Sequence, residues 1–290
     1  MHPILLRIGP LQFPTYGFLL ALALLAGLYV AVRLGRREGL DSGQIVDFST
    51  WLIISGLVGA KIYMLLTGWR FYAAHPGEIF SLSTLEAGGG FYGGFIGAAL
   101  FALWYVKKRH LPLLKVFDVF APAVAVGQCI GRLGCFAAGD DYGKPAYHSA
   151  LAVVFTNHYA NAMVGVPLGV PLYPVQLFES ALTLLIFIVL MAFYRHKKRD
   201  GQVFVMYLML YAVARFFLEF YRGDPDRGFF FHGALSTAQM VAIAAFITGL
   251  VLAYRLRESG HPATAKAGAP AHARRAGSEA VSAGRPRRVQ

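Results

Sequence analysis

Seven apolar stretches constrain this chain more than anything else in it, at approximately 14–33, 46–66, 89–106, 115–132, 175–194, 201–221 and 236–254. A bilayer's hydrocarbon core is about 30 Å thick, so a helix needs roughly 20 apolar residues to cross it. Each stretch approaches that length. Only 14% of the residues are charged and 57% are hydrophobic, whereas soluble domains carry roughly 25% charge. The expected class is an all-α polytopic integral membrane protein with seven transmembrane helices. Although 290 residues would allow two soluble domains, a single bundle over 1–257 fits the pattern better.

The net charge of +12 follows the same pattern. Arg33, Arg36 and Arg37 follow the first stretch. Lys107, Lys108 and Arg109 follow the third. Arg195, Lys197, Lys198 and Arg199 follow the fifth, and Arg255 and Arg257 the seventh. Clusters after odd-numbered spans share one face, and excess Lys and Arg mark the cytoplasmic face. The N-terminus is therefore expected outside and the C-terminus in the cytoplasm. The opening MHPILLRIGPLQFPTYG lacks the basic region and cleavage site of a signal peptide, so the first stretch is expected to remain as a span. Basic residues set between apolar runs do not form a nucleic-acid surface, and no nucleic-acid partner is expected.

Two outer connections are long. Residues 67–88 carry Trp69, Phe71, Tyr72 and Pro76, which suits an interfacial arm. Residues 133–174, with LAVVFTN and VPLGVPLYP, suggest a small external cap with some strand between spans four and five. The tail, 258–290, is rich in Ala, Gly, Pro and Arg and is expected to be disordered, with weak attraction to anionic lipid as the alternative. Cys129 and Cys135 support neither a disulfide nor a metal set, the histidines show no ligand spacing, and no metal or cofactor is expected.

The unusual polar residues gather at the outer face. In GRLGCFAAGDDYG, Arg132 closes span four and glycines then turn the chain towards Asp140 and Asp141. Tyr16 opens span one, Tyr92 lies near the start of span three, and Gln176 and Glu179 open span five. Tyr211, Arg215, Glu219 and Arg222 fall on one stripe of span six. An arginine roughly 10 Å deep costs about 2 kcal/mol or more in lipid unless it pairs or faces a polar cavity. One reading makes Arg215 and Glu219 a simple i,i+4 lock. The other notes that Glu219 neutralises only one of Arg132, Arg215 and Arg222. The surplus positive charge then wants an anion, and a phospholipid phosphate suits arginine's planar fork.

Two nearby stretches each admit more than one role. Asp140 and Asp141 read as paired acids for proton transfer, as a polar turn, or as charge partners of Arg132. EAGGGFYGGFIG reads as a surface for close helix packing or for approach of a lipid head group.

The residues resemble those of the bacterial phosphatidylglycerol–prolipoprotein diacylglyceryl transferase family. HPILLRIGP…YG, GRLGCFAAGDDYG, YPVQLFES and YAVARFFLEFYRGD occur in the family's order and span nearly the whole chain up to the tail. The resemblance implies an enzyme of the bacterial plasma (inner) membrane, its site facing the external or periplasmic side. It implies transfer of diacylglyceryl from phosphatidylglycerol to the lipobox cysteine of a preprolipoprotein signal peptide, with release of glycerol phosphate. Carried over by position, Arg132 and Arg215 would bind the phosphate. Tyr16, Cys135, Asp140, Gly143, Glu219 and Arg222 match further functional positions. Tyr92 stands where the family has a histidine, and Cys135 where it has an asparagine. A tyrosine with a pKa of about 10 is a weak base at neutral pH. A tyrosinate at Tyr92, Asp140 or solvent therefore remain as acceptors for the thiol proton. Two rival activities stand beside this one: a related transferase with another acceptor, and a non-catalytic lipid-binding or lipid-transporting protein.

Overall fold

In the computed structural model, which describes residues 2–258 apart from 10, 82–83, 85–88, 224–227 and 231–232, every apolar stretch is helical. The tail from 259 on and part of the arm lie outside the described residues. The chain opens with an antiparallel hairpin of β1 (Ile4–Ile8) and β2 (Leu11–Pro14), which the helical pattern does not announce. Next come α1 (Thr15–Arg37), α2 (Ser42–Thr67), α3 (Trp69–Ala74), α4 (Phe91–Lys108) and α5 (Leu113–Ala138). The connection after α5 holds β3 (Val153–Val154), α6 (His158–Val164) and β4 (Pro171–Leu172), with β3 and β4 paired around buried Phe155 and Leu172. The chain ends in α7 (Val175–Tyr194), α8 (Gln202–Leu218), a β5 (Phe229–Phe230) and β6 (Leu235–Ser236) pair, and α9 (Thr237–Glu258).

Among the described residues, six helical segments are long and apolar enough to cross a membrane: α1, α2, α5, α7, α9, and 202–221, which is α8 with its terminal turn. Large apolar side chains stand exposed along them, such as Leu25 at 64% and Leu66 at 66%. Water would not tolerate such faces, and lipid does. The protein is a multi-pass membrane protein. The other expected span is α4, which has 18 residues and carries Lys107 and Lys108 in its last turn.

Two helix ends differ from the sequence reading. The fourth apolar stretch does not close at Arg132: α5 continues to Ala138 and stops where Gly139 adopts φ +83°. Gly134 is thus a packing residue, where an added Cβ would lie 3.2 Å from the Tyr16 ring. The stripe on span six is also broken. After Leu218 the chain tightens into a 3-10 turn, Glu219–Tyr221, and Arg222 is extended.

Small residues decide which helices meet. α1 lies along α5, with Gly27 against the Ala123 carbonyl. An added Cβ on Gly59 would collide with the Gly93 oxygen, and one on Gly97 would come within 2.7 Å of the Ser55 oxygen. The glycines around Tyr92 therefore bring α4 against α2 backbone to backbone. That pair joins the remaining helices through Phe48 at the start of α2, Tyr105 and Val106 near the end of α4, and Val116 at the start of α5.

A polar lock sits at the same end. Asp118 of α5 is fully buried and accepts N–H bonds from Gly201 (2.8 Å) and Phe204 (2.9 Å), capping α8 from another helix. Lys197 reaches Glu38 at 2.9 Å and both Asp118 and Asp200 at 3.3 Å.

Candidate active site

Arg132 lies two turns before the end of α5, where the continuing helix fixes its direction. Its Nε is 2.9 Å from Oε2 of Glu179, in the first turns of α7. Glu179 is 2% exposed, and its other oxygen accepts a bond from the Tyr211 hydroxyl of α8 at 3.1 Å. Arg132 Nη1 pairs with Asp141 and donates to Cys135 Sγ at 3.6 Å. Arg215 pairs with Glu219 at 2.7 Å. Tyr16 reaches this region from the start of α1, its ring against Gly134.

Arg222 arrives differently. Segments 142–144 and 221–223 run side by side, with Lys144 N–H bonded to the Tyr221 carbonyl at 2.8 Å and Gly223 N–H to the Tyr142 carbonyl at 3.0 Å. Gly143 pairs opposite Arg222. A Cβ on Gly143 would collide with the Tyr173 oxygen, and one on Gly223 with the Gly143 oxygen. Only glycines permit this approach. It brings Arg222 to Asp141, so that one Asp141 carboxylate oxygen meets Arg222 and the other meets Arg132.

The arginine surplus expected from the sequence is absent. Arg132, Arg215 and Arg222 are each ion-paired, because Glu179 and Asp141 join Glu219 in the cluster. Asp141 is half-buried, and the partial loss of water favours its neutral form, but Arg222 and Arg132 outweigh this and hold its pKa below the ordinary carboxylate value. Asp140 moves the other way: although its side chain reaches solvent, partial desolvation by its neighbours and then the charge of Asp141 push its pKa up. Its carboxylate accepts the Asp141 N–H at 3.0 Å, and Gln176 Nε2 holds its carbonyl at 2.7 Å. Oε1 of Gln176 is buried with no hydrogen-bond partner among the described residues.

Tyr92 belongs to another helix. It lies at the start of α4, the helix that packs along α2, and is 42% exposed. Cys135, Asp140 and Asp141 bring a thiol and two carboxylates within 4.8 Å of one another. Both Asp141 oxygens are engaged by arginines, so this donor set does not suit a cation. Next to the cluster, α7 and α8 enclose an apolar groove of about 740 Å³ lined by Phe178, Leu182, Val189, Val213, Phe217 and Tyr221, among others.

Residues 3–255 match the family model described as prolipoprotein diacylglyceryl transferase. The chain belongs to that family. It is 34% identical over 246 residues to the phosphatidylglycerol–prolipoprotein diacylglyceryl transferase of Finegoldia magna, covering 84% of this chain and 91% of the relative. It is 33% identical over 268 residues to that of Symbiobacterium thermophilum, covering 91% and 97%.

Set beside the family resemblance, the structure gathers Arg132, Cys135, Asp140, Gly143, Arg215, Glu219 and Arg222 at one end of α5, α7 and α8, with Tyr16 against them. It adds Asp141 and Glu179, which the sequence singles out without assigning to the site. The available signal for Glu179 is its spacing from Gln176, which places both on one face of α7.

Proposed function

We propose that this protein is a phosphatidylglycerol–prolipoprotein diacylglyceryl transferase. The arginine cluster carries the reading: in a chain of this family, Arg132 and Arg222 meet at Asp141, and Arg215 is paired with Glu219 at the end of α8. Phosphatidylglycerol brings a phosphate whose bond to the diacylglycerol carbon must break. Arg132 and Arg215 bind that phosphate and stabilise the charge that grows on the leaving glycerol phosphate. Glu179 and Glu219 orient the two guanidinia, and Arg222 completes the positive wall. Tyr16 and Cys135 line the approach to Arg132, and Gly143 lets Arg222 reach it.

The lipobox cysteine attacks as thiolate. A carbon–sulfur bond forms, the carbon–oxygen bond to phosphate breaks, and the thiol proton passes to a base. Asp140 is favoured for that role over Tyr92, because it adjoins the arginine cluster and its pKa lies above the ordinary carboxylate value. The apolar groove between α7 and α8 offers space for acyl chains. The topology that fits is seven spans, with α4 as the third, the N-terminus outside and the C-terminus in the cytoplasm. The basic residues at the ends of α1, α4 and α9 support it. The site then faces the outer side of a bacterial plasma membrane, and residues 1–257 act as one unit with the tail outside it.

The test uses purified protein in detergent with phosphatidylglycerol and a lipobox peptide. Glycerol phosphate release and the peptide's mass gain are measured together. Wild type is expected to give both, while Arg132→Ala and Arg215→Ala insert normally and give neither. Release without peptide modification would indicate another acceptor, and binding without release a lipid-binding protein.

A further inference from the structure

We propose that Asp141 is a resident stand-in for the lipid phosphate, holding Arg132 of the phosphate-binding pair together with Arg222 of the adjoining wall until an incoming anion displaces it. The inference rests on the phosphate-binding reading above and deepens it. One Asp141 oxygen engages each guanidinium, in the way two oxygens of a bound phosphate would. The carboxylates on Arg132 are unequal. The Glu179 side chain is 3% exposed and tied to Tyr211, whereas that of Asp141 is 28% exposed. Glu179 is therefore a fixed support and Asp141 the replaceable partner. Asp141 also sits in a turn at φ +58° just beyond the left-handed Gly139, outside any helix. Rotating its side chain outward breaks two ion pairs and no backbone hydrogen bond.

These ion pairs keep the cluster near neutrality rather than as an open positive hole. A ligand must bind Arg132 better than an intramolecular carboxylate does, which an anionic phosphate achieves and a neutral head group does not. After transfer, the returning Asp141 competes with glycerol phosphate and promotes its release. A competitor already on the site weakens the apparent affinity for any ligand by the fraction of molecules it occupies.

The experiment compares full-length wild type, Asp141→Asn and Asp141→Glu in detergent. Glycerol phosphate binding is measured by calorimetry, and KM and kcat with phosphatidylglycerol. Asp141→Asn is expected to bind glycerol phosphate about tenfold more tightly and to lower KM by a similar factor, without raising kcat. Asp141→Glu, which keeps the charge, should not bind glycerol phosphate more tightly than wild type. Should Asp141→Asn not fold, Asp141→Ser is read in the same way. Unchanged or weaker binding in the neutral variants, with wild type binding normally, overturns the inference and leaves the phosphate clamp standing. If glycerol phosphate binds wild type and Arg132→Ala equally, the clamp itself fails, and the stand-in with it.

Discussion

Gly143 has no room for a side chain, since the Tyr173 carbonyl oxygen occupies the space a Cβ would need. Gly143→Ala must push segment 142–144 off 221–223 and carry Arg222 away from Asp141. A displacement of about 1 Å in a positioned group costs on the order of a hundredfold in rate. The variant is expected to lose that much kcat while still inserting, as peptide modification assays would show. Asp140 gives a pH prediction. Its raised pKa means that it takes up a proton at a higher pH than an ordinary carboxylate as the solution is acidified. As the base, it should set an acidic limb on the pH–kcat profile, and Asp140→Asn should remove that limb along with most of the rate. At this scale the rare charges were legible in the sequence, because Arg132, Arg215 and Glu219 stand out in apolar surroundings. The Arg215–Glu219 pair was legible from its i,i+4 spacing, and Asp141 stood among the readings as a partner of Arg132, but Glu179 on Arg132 and Asp141 on Arg222 were not foreseen. Which carboxylates face Arg132 depends on the rotation of α7, which brings Glu179 inward, and on the left-handed turn at Asp141.

The start of α8 is held by a residue of α5, and Lys197 binds that same residue to the turn after α1. Burial alone would lower the Lys197 pKa, but Glu38, Asp118 and Asp200 outweigh it and raise it. A raised folded-state pKa stabilises fully below the unfolded value of about 10.4, and that contribution is lost as pH rises through the folded value. Lys197→Met leaves Asp118 buried without its cation and is expected to cost about 3 kcal/mol. Thermal unfolding in detergent should show a gap from wild type that is steady from about pH 6 to pH 9 and narrows only above about pH 10. The existence of the helices was legible from apolar run length, but their ends were not. The glycines of GRLGCFAAG suggested a reversal just after Arg132; α5 instead runs through Gly134, against which Tyr16 packs, and turns only at Gly139. Tyr211 to Arg222 suggested one helical stripe, yet the helix tightens at Glu219 and frees Arg222 to pair across to Gly143.

Across the whole molecule, α5 lies between α1 on one side and α7 and α8 on another, while α2 and α4 form a pair attached through Phe48, Tyr105 and Val116. The membrane class was legible because it depends on composition, and the glycines of α4 announced close contact without saying with what. That answer needed the matching small residues of α2, Ser55, Gly56 and Gly59. The cap on α8 has a further consequence, for biosynthesis. Asp118 precedes Gly201, its N–H donor, by 83 residues. At about 5–20 residues per second, a ribosome needs on the order of ten seconds to supply that donor and Lys197. During that interval the carboxylate has only water to solvate it, so this end of α5 must wait at the aqueous boundary. The emergence of α8 then releases it, and this end of the bundle closes only after the second half of the chain has been made.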